Sequence, residues 1–80
     1  MRIIIIGGAG DMGSVACAAT VTDPAITSVV IADRDQARAE ALADRLGAKA
    51  SAMALDITDR DALVSAIGGA DAVLNTVGHF

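Results

Sequence analysis

Ile3-Ile4-Ile5-Ile6-Gly7-Gly8-Ala9-Gly10-Asp11-Met12-Gly13 is the stretch on which the fold turns. Arg2 to Ile6 is a β-branched run suited to a parallel strand buried on both faces, because a half-exposed strand would alternate apolar with polar. Glycines 7, 8, 10 and 13 then predict a tight turn. The alanine-rich run that follows predicts a helix from about Asp11 to Thr22, with small residues turned to a sheet. Asp11 is its expected N-cap, and Asp23-Pro24 ends it.

The same alternation continues outward to the end of the chain. Ser28 to Ala32 is a second apolar strand. Asp35 to Leu46 predicts an amphipathic helix, since Ala39, Leu42, Ala43 and Leu46 fall at i, i+3, i+4 and i+7 and Gly47 suits its C-terminal turn. Lys49 to Leu55 is a weaker, alanine-rich strand. Thr58-Asp59-Arg60-Asp61 has the form of a capping box opening a short helix that closes at Gly68-Gly69. Ala72 to Val77 is the fourth strand. The order βαβαβαβ with short connections predicts an α/β fold: a partial, Rossmann-type, three-layer parallel sheet with strand order 3-2-1-4. The expected domain is residues 1–80, a dinucleotide-binding unit at the N-terminal end of a longer protein.

Eighty residues hold one small domain and leave no room for a separate substrate domain. Hydrophobic residues at 54% against 20% charged place the chain with globular proteins. The net charge of −4, with Lys49 as the one lysine, argues against nucleic acid or an anionic membrane as partner. Phe80 is the one aromatic, so no stacking platform for bases is available. Cys17 is the single cysteine; it can form no internal disulfide and fits a reducing, cytoplasmic setting. The apolar run of Ile3 to Ile6 is too short for a signal peptide or a membrane span. His79, the one histidine, has no partner acid nearby in sequence, so no catalytic group and no metal ligand is assigned.

Within this frame Gly8-Ala9-Gly10-Asp11-Met12-Gly13 matches G-x-G-x-x-G, following a strand and opening a helix. Gly8 allows the turn, Gly10 lets the backbone approach a diphosphate, and Gly13 lets the helix lie close to the strand. Amides around Asp11 and Met12 would donate to that diphosphate at the positive helix end. Asp33, twenty residues after Gly13, is placed to accept from the adenosine ribose hydroxyls, which favours NAD over NADP as the coenzyme. Two readings of Arg34 stay open, a contact to adenine or phosphate and a solvated loop charge. Asp56-Ile57 closes the third strand, where it would either form an adenine pocket or start the turn into the next helix. Asn75-Thr76-Val77-Gly78 ends the fourth strand, and Thr76, Val77 and Gly78 would lie beside the coenzyme.

These stretches, with Val30-Ile31-Ala32-Asp33-Arg34, Leu55-Asp56-Ile57-Thr58-Asp59 and Asp71-Ala72-Val73-Leu74-Asn75-Thr76-Val77-Gly78, resemble the coenzyme-binding N-terminal domain of the saccharopine dehydrogenase family, including its lysine-dehydrogenase-like members. The resemblance implies an NAD(P)-binding domain of an oxidoreductase, with the Gly-rich turn on the diphosphate, Asp33 on the ribose and the Asn-Thr-Val-Gly edge on the nicotinamide side. It also implies a substrate domain beyond residue 80. His79 stands where the family commonly has proline. Two alternatives share the motif: an atypical short-chain-dehydrogenase-like redox sensor, and a regulatory nucleotide-binding module of a transport regulator. Ile6, where a threonine is usual, argues against the first, and the long Thr22-Asp23-Pro24-Ala25 connection against the second. Finally, the fourth strand carries no lysine, proline or other charge, so it is expected to form an open edge prone to homo-oligomer pairing.

Overall fold

The structure is a computed structural model and describes residues 1–7 and 10–76, with the backbone alone at residues 11 and 12. Four strands, β1 (Arg2–Ile6), β2 (Ser28–Asp33), β3 (Ala50–Ala54) and β4 (Ala72–Asn75), form one parallel sheet in the order β3-β2-β1-β4. Helices α1 (Asp11–Thr20), α2 (Gln36–Leu46) and α3 (Arg60–Ile67) fill the three connections. The expected strand order and alternation are both observed.

The consecutive isoleucines of β1 are explained by two cores. Side chains alternate along a strand, so Ile3 and Ile5 join Val29 and Ile31 on one face, where Cys17 of α1 and Ala39, Leu42 and Ala43 of α2 cover them. Ile4 and Ile6 join Val30 and Ala32 on the other face, beneath Leu55 and Ala66 with Leu63 and Ile67 of α3 alongside. Ile4, Ile5 and Ile31 are fully buried, each stabilising the fold by roughly 1.5–3 kcal/mol. Gly13 and Cys17, one turn apart and both buried, form the small-residue face of α1.

Several boundaries differ from expectation for local reasons. α1 ends at Thr20, two residues early: Thr20 Oγ1 donates to Cys17 O, Thr22 Oγ1 donates to Ala19 O, and the Asp23 carboxylate accepts from Ala25 N across Pro24. Hydroxyls and carboxylates that satisfy nearby backbone groups offer the chain an alternative to another helical turn. The N-cap of α1 is Gly10 and not Asp11, which is the first helical residue. The expected capping box at Thr58 is likewise displaced by one: Asp59 caps α3 by accepting from Ala62 N at 3.1 Å, while Thr58 turns to Asp56. α2 starts at Gln36 because Asp35 is its cap, and it stops at Gly47, whose φ of 101° suits glycine alone. β2 runs one residue further, to Asp33, and β3 is shorter at both ends.

β4 is the outer strand beside β1, clamped at its ends by Asp71 N to Arg2 O and Thr76 N to Ile6 O. All four of its residues are exposed, including Val73 at 45% and Leu74 at 42%. No helix among the described residues is long and apolar enough to cross a membrane.

Candidate functional site

The carboxyl ends of all four strands point to one edge of the sheet, the edge at which open α/β sheets take ligands. At its centre, β1 runs into Gly7, which adopts φ 77° and donates from its N–H to Ala32 O of β2 at 2.7 Å. Gly10 N–H then donates back to Gly7 O at 3.0 Å, closing the turn, and Ser14 N–H makes the first helical bond to Gly10 O at 2.8 Å. The amides of residues 11, 12 and 13 precede that bond. Gly10 offers no side-chain hydrogen bond to them, and as first-turn donors they form the positive end of the helix dipole. A Cβ at Gly10 would stand 3.4 Å from Gly7 O, an ordinary contact. Among the described residues, then, a side chain at Gly10 meets no closer contact.

Asp33 ends β2, half-buried, and its Oδ1 accepts from Asp35 N at 2.9 Å. Leu55 N donates to Asp33 O at 3.0 Å and pins the ends of β2 and β3 together. Arg34 follows, exposed at that seam. Across it, Asp56 Oδ1 accepts from Thr58 N at 2.9 Å and from Thr58 Oγ1 at 2.7 Å, an Asx turn into the segment before α3. The Thr58 hydroxyl, then the Thr58 amide, hold the Asp56 carboxyl below the usual carboxylate value; desolvation opposes them, and the positive charge of Arg34 adds the smallest contribution in the lowering direction. Of the two readings of Asp56, its place as the start of the turn is observed.

On the α3 side of the sheet a cavity of about 330 Å³ opens at the same edge, lined by Ile6, Ile57, Thr58, Leu63 and Asn75. Its wall is apolar, with Thr58 and Asn75 as the polar groups. Ile57, which the sequence places at the end of the third strand, lines this cavity. Asn75 belongs to the strand end expected beside the coenzyme, whereas Ile6, Thr58 and Leu63 were not among the expected contacts; Leu63 reads in sequence as helix interior, and the packing of α3 on the Ile4–Ile6 face of the sheet brings it here. Thr76 is close by, and its Oγ1 donates to Ile6 O at 2.8 Å, so its hydroxyl clamps β4 to β1. Gly8, Val77, Gly78 and His79 lie outside the described residues, as do the side chains of Asp11 and Met12. Cys17 is buried beneath α1, and burial pushes its thiol up to about 11.

Comparison with known proteins agrees with this geometry. Residues 3–80 match the family described as the saccharopine dehydrogenase NADP binding domain. A glutamyl-tRNA reductase of Natronomonas pharaonis is 39% identical over 77 residues, covering 90% of this chain and 17% of that protein. The apo saccharopine dehydrogenase (L-Glu forming) of Saccharomyces cerevisiae superposes with a TM-score of 0.78 at 29% identity, over 95% of this chain and 16% of that one. A 3-ketoacyl-(acyl-carrier-protein) reductase of Brucella melitensis, solved with NADH, superposes with a TM-score of 0.68 at 29% identity, over 90% of this chain and 32% of that one. The chain thus spans a third or less of each of these proteins.

Proposed function

The chain belongs to the family of saccharopine dehydrogenase NADP-binding domains, and from that premise we propose that residues 1–80 hold a nicotinamide dinucleotide for an oxidoreductase whose substrate is bound by a further domain. The observation that carries this reading is the start of α1, where a glycine N-cap offers the first-turn amides no side-chain cap, an arrangement that suits a diphosphate. Gly8, Gly10, Asp11, Met12 and Gly13 would cradle that group through their backbone. The cavity lined by Ile57 has the apolar wall and the polar groups of Thr58 and Asn75 that suit adenine, and we assign Asp56, which Thr58 holds by two hydrogen bonds, to the same end of the coenzyme. Thr76, Val77 and Gly78 would line the nicotinamide side. The bound coenzyme supplies the hydride chemistry; this chain binds, orients and covers it.

Asp33 is the residue we assign to the adenosine ribose, and its carboxylate favours NAD by repelling the 2′-phosphate of NADP. The family description names NADP, so the preference needs a direct test. Fluorescence titration with NADH and NADPH should give tighter NADH binding, and Asp33→Ala should narrow the gap by about 1–3 kcal/mol, the range for leaving such polar partners unpaired. Tighter NADPH binding overturns the preference; binding of neither nucleotide overturns the coenzyme reading itself.

A second copy of this chain is the other partner we assign. β4 is exposed, apolar and uncharged, and two such edges can pair antiparallel about a two-fold axis. Light scattering over a concentration series should show a dimer that Leu74→Lys weakens, and a monomer at all concentrations would refute the assignment.

A further inference from the structure

The peptide that joins β1 to the Gly-rich turn is held from both neighbouring strands. Its N–H, that of Gly7, donates to Ala32 O of β2 at 2.7 Å. Its carbonyl, that of Ile6, takes two donors from one residue just past β4: Thr76 N at 2.9 Å and Thr76 Oγ1 at 2.8 Å. With one donor on each side, a peptide can still tilt about the line joining its two bonds. The second donor uses the other lone pair of Ile6 O and opposes that tilt. The turn hangs from this plane. Gly7 leaves it at φ 77°, Gly7 O takes the Gly10 N–H at 3.0 Å, and Gly10 O takes the first helical N–H, from Ser14, at 2.8 Å. Strand pairing does not need the hydroxyl, because Thr76 N already joins β4 to β1 at this end, as Asp71 N does at the other.

Resting on the coenzyme reading above, we propose that Thr76 is a positioning residue for the diphosphate: its hydroxyl, bonded to the Ile6 carbonyl, fixes the plane from which the Gly-rich turn starts and so the aim of the first amides of α1. A hydroxyl has one proton, and this one is committed to Ile6 O, so it is not donated to the coenzyme. Hydrogen-bond donors serve a ligand only when held within about 0.5 Å and 10–20° of the productive geometry. A tilt of the Ile6–Gly7 peptide is passed on through Gly7 O and Gly10 O to those amides, and the Thr76 hydroxyl resists it at the source.

Thr76→Val keeps the branched shape and the backbone bond while removing the hydroxyl, and Thr76→Ser restores the hydroxyl. In the intact protein, affinities for NADH, ADP and adenosine are compared between the wild type and both variants, with urea unfolding alongside. Thr76→Val should weaken NADH and ADP alike by about three- to tenfold, the scale of one hydrogen bond. Adenosine, which has no diphosphate, should bind as before, and Thr76→Ser should recover most of the loss. A loss for NADH without one for ADP would put the hydroxyl on the nicotinamide half and overturn the inference. An equal loss for all three ligands, no loss for any, or a loss that serine does not recover also overturns it and leaves the coenzyme reading standing. A wild type that binds neither NADH nor ADP sinks the coenzyme reading and this inference with it. Independently of any ligand, the Gly10 N–H should exchange with solvent faster in Thr76→Val and Thr76→Ala than in the wild type, while the amides of β2 keep their rates. An unchanged Gly10 rate, or a rise shared equally by β2, would show that the hydroxyl does not hold the turn.

Discussion

α1 and α2 begin at the same edge of the same sheet, each a few residues after a strand, and they are nearly equal in length at ten and eleven residues. Their starts are built in opposite ways. α2 is closed by Asp35, whose carboxylate accepts from Arg38 N at 3.2 Å, and α3 is closed in the same manner by Asp59 on Ala62 N. α1 begins at Gly10 with no side chain to spend on its amides. An internal carboxylate and an external anion satisfy the same donors and the same dipole, so a helix that serves itself cannot serve a ligand. The difference separates the helices closed by their own carboxylates from the one whose cap has no side chain, where we propose that the coenzyme's diphosphate sits. It also explains why α1 is secured from beneath, by Gly13 and Cys17 packed on the sheet, and not at its tip.

Making α1 resemble its neighbours is the sharpest way to break this comparison. Gly10→Asp should stabilise the helix by a few tenths of a kcal/mol while weakening NADH binding on the order of 100-fold or more, through a carboxylate set against the diphosphate. Thermal unfolding and fluorescence titration read the two effects separately. Unchanged binding by a folded variant would remove the phosphate from this helix end.

The converse change is smaller. Asp35→Ala and Asp59→Ala should each cost about 1 kcal/mol of stability in urea unfolding, as lost caps do, with NADH affinity nearly unaltered. A large loss of affinity with little loss of stability would show that the closed helices also serve the ligand.

The smallest effect is on pH. The folded state holds the Asp56 carboxyl below its ordinary value, so its contribution is present above the usual carboxylate range and fades as pH falls through the lowered value. Acidification should therefore loosen the Thr58 amide before the amides in the middle of α1, which bond to backbone carbonyls. Hydrogen exchange followed residue by residue checks the order, and simultaneous loosening would contradict it.

Most of the architecture is legible in the sequence because its signals are redundant. Ile3 to Ile6 demand cover on both faces, Asp35 to Leu46 carry a clean helical stripe, and the Gly-rich turn joins strand to helix. Cap positions are less legible. Gly10-Asp11 and Thr58-Asp59 each offer two neighbouring candidates of similar capping strength, and the point at which the chain leaves the sheet decides between them. The cavity is the least legible part, since Ile6, Leu63 and Asn75 belong to three elements and meet only when α3 packs on the Ile4–Ile6 face of the sheet. Thr76 marks the edge in sequence, but its hydroxyl is committed to Ile6 O, a bond no local pattern announces.

Cys17 gives the open helix a clock. Its sulfur lies sealed between α1 and the sheet and stays protonated at neutral pH, so an alkylating reagent can reach a reactive form only while α1 stands away from Ile5 and Ile31. The half-life of the unlabelled thiol then counts those departures. A coenzyme anchored at the first turn of the same helix should lengthen that half-life in proportion to its occupancy, so occupancy of the helix tip becomes readable as elapsed time two turns further down.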